Sequence, residues 1–288
     1  MSELRNLYVP ELRIWKIRKE NFMKTFRIES FQAALPKIKK KVRLASLTDL
    51  HGLVYGENNG QILEALQKLQ PDAVLAVGDM SVNYDKATYQ AAAKLLERAA
   101  AKFPVLYTYG NHETRMKKEE PAFIKSYEAF LEKNGVILLH NDHAELCLGG
   151  VKFVFYGLEL PLTYYKKPFS PSLTQEALRG FLGEPEKDGV CVLLAHSPKY
   201  GNVYFQWGAD LIFSGHYHGG ALRFGRHCGL VSPQFRVLPP YCCGDFHRGE
   251  QHMFVSAGMG EHTIPIRIHN PRELVAVDGV PAGNGFLE

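Results

Sequence analysis

Seven side chains that can bind a hard or borderline metal ion come shortly after five short apolar runs of the sequence. The runs are residues 42–47, 73–77, 105–109, 190–194 and 211–213. The polar side chains that follow them are Asp49, His51, Asp79, Asn111, His196, His216 and His218. In open α/β folds, ligands bind outside the carboxyl ends of the strands. If each run is a strand of such a fold, these seven side chains form a metal centre at one end of a sheet.

The number and type of these side chains favour two metal ions over one. Seven ligands are too many for one tetrahedral zinc ion and suit two ions of higher coordination number. The absence of cysteine from the set argues against an iron–sulfur or soft-metal site. The Asp79 carboxylate has two oxygens and could bridge both ions. Two divalent ions about 3.5–4 Å apart are the usual clamp for in-line displacement at phosphorus.

His112 lies next to Asn111 and is left over from the ligand set. A histidine in this place can stabilise or protonate the leaving oxygen of a phosphoryl substrate. Manganese, iron, zinc and cobalt all suit the ligands, and manganese is the ion that we expect. The sequence therefore predicts that His112 is catalytic beside two divalent metal ions.

Helices must alternate with strands in the first half of the chain to carry these side chains to one edge. Apolar residues at helical spacing predict helices over residues 62–69 and 85–102, the second with Asn83 or Asp85 as its cap. Pro121 is expected to begin a third helix that Gly135 ends. An extra strand is expected at residues 22–30, where Phe22, Phe26 and Ile28 share one parity.

The second half of the chain is richer in strands. The Gly149-Gly150 pair is typical of a hairpin turn. We predict a helix around residues 173–182 and strands at residues 136–139, 144–148, 151–158, 221–224, 253–257, 264–268 and 273–277. This pattern indicates an α/β domain of two sheets packed face to face with helices outside. Residues 1–21 would form an N-terminal arm and residues 22–288 a single domain.

Five motifs of the chain together resemble a known family. Taken in order, they resemble the motifs of the calcineurin-like metallophosphoesterases, and they are Asp49-x-His51, Gly78-Asp79, Gly110-Asn111-His112-Glu113, His196 and Gly215-His216-x-His218. The stretches at residues 258–260, 264–267 and 270–271 look like the bacterial YkuE/YaeI-type branch. The resemblance covers about residues 22–278 and implies a four-layer αββα sandwich.

The resemblance also implies which residues hold each metal ion. One ion would be bound by Asp49, His51, Asp79 and His218. The other would be bound by Asp79, Asn111, His196 and His216.

The chain departs from the family pattern in two places. Many relatives carry an aspartate three residues after the Gly-Asp aspartate, where it helps to orient the catalytic histidine, and here that residue is Val82. Asn83, Asp85 or Glu113 could orient His112 instead. Many members of the branch also begin with a membrane anchor, which is not found in this sequence.

Composition gives little support to nucleic-acid or membrane-spanning functions. The net charge is only +4, and no run approaches the roughly 18 apolar residues that span a bilayer. The N-terminus lacks the layout of a signal peptide, so a cytoplasmic protein is predicted. The basic and aromatic residues before position 42 leave a peripheral membrane contact open.

The remaining polar clusters are interpreted as structural. Residues 140–143 are expected to form a turn, and residues 161–171 a loop of the kind that often lines the mouth of a site. Cys147 and Cys191 lie in apolar runs and are expected to be small core residues. A zinc site from Cys228, Cys242, Cys243 and His247 is less favoured than reduced thiols, because structural zinc ligands usually come in separated pairs.

The function that we expect is a metal-dependent phosphoesterase acting on a small phosphorylated substrate. It would hydrolyse a phosphomonoester or phosphodiester by attack of metal-bound hydroxide. One alternative is a membrane-surface pyrophosphatase or phosphodiesterase for a lipid-linked or nucleotide-sugar diphosphate. A nuclease is a third option, but it would need a basic groove, and the modest net charge of +4 gives it little support. A binding protein with a structural metal centre is the alternative outside the enzymes.

Overall fold

The computed structural model of the chain describes residues 25–166, 169–220, 222–224, 228–229, 239–261 and 267–282. Within these residues are two six-stranded mixed β-sheets. The first sheet has the order β1-β14-β2-β3-β4-β5. Its strands are β1 (Arg27–Leu35), β2 (Val42–Leu47), β3 (Ala73–Val77), β4 (Val105–Thr108), β5 (Val136–Leu138) and β14 (Glu273–Pro281).

The second sheet has the order β12-β13-β9-β8-β7-β6. Its strands are β6 (Asp142–Leu148), β7 (Val151–Leu158), β8 (Val190–Ala195), β9 (Leu211–Ser214), β12 (Gly244–Arg248) and β13 (Gln251–Val255). A separate antiparallel pair joins β10 (Arg223–Phe224) to β11 (Cys228–Gly229). Strands β2 to β5 of the first sheet run parallel to one another, as do β7, β8 and β9 of the second, whereas β14 and β6 are antiparallel to their neighbours β2 and β7. The carboxyl ends of the parallel strands therefore lie at one edge of each sheet.

Six α-helices are described, and most begin at a recognisable capping residue or proline. They are α1 (Gly60–Leu69), α2 (Lys86–Ala100), α3 (Asn111–Glu119), α4 (Pro121–Lys133), α5 (Gln175–Leu182) and α6 (Gly201–Trp207). The Asp85 carboxylate accepts from the N–H of Ala87 at the start of α2, and the Thr174 hydroxyl accepts from that of Ala177 at the start of α5. None of the described helices has the length and hydropathy needed to cross a membrane.

The apolar core lies in three layers that follow from the strand sequences. Successive residues of β2 face opposite ways, so Leu44 packs between the two sheets, while Leu47, three residues on, packs against the helices outside the first sheet. The outer face of the second sheet packs on α5 and α6, with Leu178 and Tyr204 in that third cluster. The result is a four-layer αββα sandwich, which confirms the fold class predicted from the sequence.

Several local predictions were wrong in detail. Residues 111–119 form α3, whereas the sequence pattern predicted no helix there, and α6 and β12 were not predicted either. The first strand begins at Arg27 rather than at residue 22. Asp142 and His143 belong to β6 rather than to a turn. Cys147 is exposed on β6, whereas Cys191 is buried as expected.

Some predictions fall outside the described residues. These are the arm at residues 1–21, most of the strand at residues 264–268, and part of the proposed cysteine and histidine cluster. The part of the 264–268 strand that is described makes a single parallel bridge between Ile268 and Leu222. The domain boundaries therefore stay a prediction.

Candidate metal centre

The seven side chains predicted to bind metal lie at the carboxyl ends of five parallel strands. Each side chain comes within four residues of the last residue of its strand. Asp49 and His51 follow β2, Asp79 follows β3, Asn111 follows β4, His196 follows β8, and His216 and His218 follow β9. Because β2 to β4 and β8 to β9 approach the same end of the sandwich, residues that are up to 169 positions apart meet there.

The backbone conformation of these residues differs from the strand geometry that the sequence suggested. Asp49, His51 and Asp79 have φ angles of 51°, 47° and 50°, and His216 and His218 have φ angles of 65° and 51°. These residues lie beyond the ends of their strands, so the alternation of side chains along a strand is not what brings residues two apart to one side. Left-handed turns bring them together instead, in a region that aspartate and histidine enter more readily than most residues.

One group of ligand-type atoms is formed by Asp49, His51 and His218. Oδ1 of Asp49 lies 3.7 Å from Nε2 of His51 and 3.3 Å from Nε2 of His218. The two imidazole nitrogens are 3.2 Å apart. Oδ2 of Asp49 points the other way, where it accepts from the backbone N–H of His216 at 2.9 Å. That contact leaves Oδ1 to face the two rings.

A second group is formed by Asp79, His196 and His216. Oδ2 of Asp79 lies 3.1 Å from Nε2 of His196 and 3.9 Å from Nε2 of His51. Oδ1 of Asp79 accepts from the backbone N–H of His112 at 2.9 Å. A single oxygen of Asp79 therefore faces nitrogen atoms of both groups.

Three buried atoms of this region fit a bound cation. Oδ1 of Asp49, Oδ1 of Asn111 and Nε2 of His196 have no hydrogen-bond partner among the described residues. Nδ1 of His196 lies 2.8 Å from the carbonyl oxygen of Val77, so that nitrogen carries a proton and donates it. Burial lowers the pKa of His196, but the Asp79 and Asp49 carboxylates outweigh burial and raise it to about 10, so without a cation the ring is protonated and Nε2–H faces Asp79. A cation bound there would take the place of that proton.

The charges of the cluster suit a cation. Burial disfavours ionisation of Asp49 and Asp79, but the nearby imidazoles outweigh burial and lower the pKa of both carboxyls. Burial, with the charge of His196, lowers the pKa of His216 to about 3. At neutral pH the two carboxylates are therefore ionised and the His216 ring is neutral, the forms in which both types of side chain bind metals.

Glu113 holds the loop that carries Asp79. Its Oε2 accepts from the N–H groups of Asp79 at 2.9 Å and Gly110 at 3.1 Å, and its Oε1 accepts from Ser81 at 2.9 Å. Burial and the charge of Asp79 raise the pKa of Glu113 to about 7. Glu113 therefore supports the loop that carries Asp79.

His112 is oriented by a backbone group. The N–H of Asn83 donates to Nδ1 of His112 at 3.1 Å. Three residues were candidates to contact the His112 ring in place of the missing aspartate. Asn83 contacts it with its main chain. The Asp85 side chain instead caps α2. Nε2 of His112 lies 4.0 Å from Oδ2 of Asp79, and His51, Asp79 and His112 form a third group of ligand-type atoms.

Three residues next to the cluster were not singled out as site residues from the sequence. The ring of Tyr165 lies 5.2 Å from that of His216 in an edge-on contact. Nη2 of Arg267 lies 3.4 Å from Nδ1 of His218, and Nδ2 of Asn270 donates to the His218 carbonyl at 2.6 Å. The signals that could have found them were the predicted loop at residues 161–171 and the stretch at residues 264–271.

Comparison with known proteins identifies a matching family model and similar bacterial proteins. A family model described as calcineurin-like phosphoesterase matches residues 42–220. The uncharacterized metallophosphoesterase YkuE of Bacillus subtilis is 25% identical over 210 residues, which are 72% of this chain and 67% of that protein. The uncharacterized metallophosphoesterase YkoQ of the same organism is 26% identical over 247 residues, which are 82% of this chain and 83% of that protein.

Similarity to solved structures is more remote. The phosphopantetheinyl hydrolase of Mycobacterium tuberculosis aligns with a TM-score of 0.45 and 14% identity, over 76% of this chain and 89% of that one. A similarity at this level supports no inference about the reaction.

Proposed function

This chain belongs to the calcineurin-like phosphoesterase family and is a metal-dependent phosphoester hydrolase, and on that premise we propose that it uses two divalent cations to hydrolyse a phosphomonoester or phosphodiester. The observation that carries the two-cation proposal is the position of Asp79. One of its oxygens faces His196 at 3.1 Å and His51 at 3.9 Å. That oxygen lies between the two groups of side chains and suits a carboxylate shared by two ions.

The proposed ligand sets follow the two groups. Asp49, His51, Asp79 and His218 bind one cation. Asp79, Asn111, His196 and His216 bind the other. Manganese, iron, zinc and cobalt all suit these ligands, and manganese is our first choice for reconstitution.

Residues of the chain have proposed roles beside the metal chemistry. A pair of divalent cations, when bound, supplies a water activated as the nucleophile and positive charge for the phosphate oxygens. Asp79 is held in place by Glu113, so the shared oxygen keeps its position. The Nε2–H of His112 donates a hydrogen bond that stabilises the developing charge on the leaving oxygen, while the Asn83 N–H holds its ring. Family membership favours this reading over a binding protein with a purely structural metal.

Turnover of simple chromogenic esters tests the proposal. Protein stripped of metal and reloaded with manganese is assayed with para-nitrophenyl phosphate and with bis-para-nitrophenyl phosphate. We expect turnover of at least one ester, its loss in chelator, and its loss in Asp79→Asn. No turnover with any of the four metals, in protein shown by elemental analysis to hold two ions per chain, would refute the proposed reaction.

A further inference from the structure

A tyrosine on the loop that follows β7 lies against the metal centre. Tyr165 ends a short 3₁₀-helix, Leu162–Tyr165. Its ring centroid lies 5.2 Å from that of His216, in an edge-on contact, and 6.4 Å from that of His196. Burial raises the pKa of this phenol, and the charge of Asp79 acts in the same direction. Tyr165 therefore lies beside the group of ligand-type atoms that Asp79, His196 and His216 form.

Within the described part of the chain, the hydroxyl of Tyr165 makes no hydrogen bond. Buried tyrosine hydroxyls usually find a partner. The hydroxyl of Tyr204 donates to the Ser197 carbonyl at 3.0 Å, and that of Tyr200 donates to the Tyr164 carbonyl at 2.9 Å. The Tyr165 oxygen is not sealed in the core, because the residue keeps 9% of its surface exposed and this oxygen is not among the fully buried atoms without a partner. A donor at the edge of the cluster is therefore left for a bound molecule.

The loop holds this phenol in place on both sides of its position in the sequence. The N–H of Tyr164 donates to the Pro161 carbonyl at 2.9 Å. The Tyr200 hydroxyl contacts the carbonyl oxygens of Tyr164 at 2.9 Å and Pro171 at 3.2 Å, which precede and follow Tyr165. Because the backbone is fastened and the ring packs on two histidines, the hydroxyl has its position before any substrate binds. A donor that is held in this way needs no reorganisation during the reaction.

We propose that the Tyr165 hydroxyl contacts the substrate and donates a hydrogen bond to a non-bridging oxygen of the phosphoryl group. This contact rests on the proposed function, since it needs a phosphoryl group bound at the metal centre. A phenol is protonated at neutral pH, so it can donate to an anionic oxygen without adding a charge to the centre. His112 serves the leaving oxygen and Tyr165 a non-bridging oxygen, so the two donors have separate roles.

A purely structural role for Tyr165 is the alternative, and it makes a different prediction. In that role only the ring matters, because it packs on His216 and His196 and keeps them in place. Tyr165→Phe separates the two roles, since phenylalanine keeps the ring and loses only the hydroxyl. A structural ring would leave the Tyr165→Phe variant with wild-type properties, whereas a substrate contact would be lost.

Kinetics and phosphate binding test the contact on manganese-loaded protein. We expect Tyr165→Phe to lower kcat/KM on the para-nitrophenyl esters by about 10- to 100-fold, the effect of losing one hydrogen bond to a charged oxygen. Inorganic phosphate carries the same oxygens, and calorimetry should show that it binds the variant about tenfold more weakly. Elemental analysis should find the wild-type metal content. Tyr164→Phe is the matched control, because the Tyr164 ring packs on that of Tyr200 with centroids 5.7 Å apart. It should match wild type in all three measurements.

Failure of this contact and failure of the proposed function give different results. If wild type with two bound ions hydrolyses neither ester, the proposed reaction is wrong, and the phosphate affinities alone then decide the role of Tyr165. If wild type hydrolyses an ester and Tyr165→Phe equals it in kcat/KM and in phosphate affinity, the hydroxyl does not contact the phosphoryl group. Loss of metal from Tyr165→Phe would also overturn the proposal, because it would show that the hydroxyl supports the ligands rather than the substrate.

Discussion

The backbone N–H of Asn83 donates to Nδ1 of His112 across 3.1 Å, which determines where the proton of the His112 ring lies. An amide N–H can only donate, so Nδ1 is the acceptor and the neutral ring carries its proton on Nε2. Burial lowers the pKa of His112 and outweighs the opposite effect of the Asp79 carboxylate. The ring is therefore neutral at pH 7, with Nε2–H directed towards the cluster. Val82 stands where the family resemblance led us to expect a carboxylate, and the main-chain N–H of Asn83 contacts the ring instead.

Removing this ring should slow turnover without removing the metal. We expect His112→Ala to lower kcat by about 10²- to 10³-fold, the usual effect of losing a hydrogen-bond donor positioned at developing charge. The metal content should stay at the wild-type value, because His112 is outside the proposed ligand sets. Steady-state kinetics and elemental analysis on one preparation measure both quantities. His143→Ala is the control, since His143 is a half-exposed histidine on β6. A normal kcat in His112→Ala would exclude its proposed role.

Asp79 gives the sharpest test of a shared ligand. Asp79→Ala removes the oxygen that faces His51 and His196, so we expect the metal content to fall from two ions per chain to less than one. Metal binding stabilises only the folded state, by about 4 kcal/mol when free metal is 1,000 times its dissociation constant. Chelator should then lower the Tm of wild type by about 5–10 °C.

The same chelator should leave the Tm of Asp79→Ala almost unchanged, because that variant has little metal to lose. Asp142→Ala is the matched control, since the Asp142 side chain is 73% exposed at the start of β6. It should show the wild-type metal content and the wild-type response. If Asp79→Ala retained two ions, the carboxylate would not be shared.

The parts of this structure that sequence could predict are those with a strong local pattern. Apolar runs that end at polar residues marked β2, β3, β8 and β9, and so placed Asp49, Asp79 and His196 at strand ends. The helix α3 has no such pattern. Its nine residues, Asn111–Glu119, bury only Glu113 and Met116, so no apolar stripe indicates a helix. Its position is set by the contacts of Glu113 with the Asp79 loop.

Other features depend on contacts between distant parts of the chain. Arg267 contacts His218 from 49 residues away, and the Asn83 N–H meets His112 from 29 residues away. The sequence offered Asn83 as one of three candidates to orient His112, but it could not show that the main chain makes the contact, and it gave no sign of the contact between Arg267 and His218. Cys147 was misplaced for a simpler reason. It lies on the edge strand β6, where the alternate residues Leu146 and Leu148 point inwards and Cys147 points out.

Glu159 and His140 form a pair whose contribution to stability depends on pH. Oε2 of Glu159 lies 2.8 Å from Nδ1 of His140. Burial raises the pKa of Glu159, but the hydrogen bond with His140 and the charge of Lys117 outweigh burial and lower it. A carboxyl with a lowered pKa stabilises the fold above its ordinary value of 4.5, and that contribution is lost as the pH falls through the folded-state pKa.

Glu159→Gln should therefore lower the free energy of unfolding by about 1–2 kcal/mol at pH 7. The difference from wild type should shrink as the pH falls below 4.5. Urea unfolding at pH 7, 5.5 and 4, with chelator present to remove the effect of bound metal, measures it. Glu184→Gln is the control, because the Glu184 side chain is 69% exposed and should contribute little at any of these pH values. A pH-independent loss in Glu159→Gln would show that only packing was disturbed.

Gly110 is the position where a single methyl group should disturb the cluster. Its φ angle of −94° is open to any residue, so alanine causes no backbone strain. A Cβ at this position would nevertheless lie 2.7 Å from the backbone nitrogen of Asp79 and 2.8 Å from its Cγ. Both distances are shorter than real Cβ contacts, so Asp79 or the Gly110 backbone must move. Either movement disturbs the bond between the Gly110 N–H and Glu113.

We therefore expect Gly110→Ala to lose metal and to lower kcat by about 10²-fold, the effect of a misplacement near 1 Å in a catalytic site. Gly180→Ala in α5 is the matched control, because a Cβ there meets nothing within 4 Å. It should stabilise the protein by about 0.5–1 kcal/mol, as alanine does in a helix, and leave metal content unchanged. Elemental analysis, kinetics and urea unfolding on both variants separate the site effect from the effect of a methyl group. If Gly110→Ala kept full metal and full activity, the Asp79 position would tolerate displacement, and the shared-oxygen geometry could not be essential.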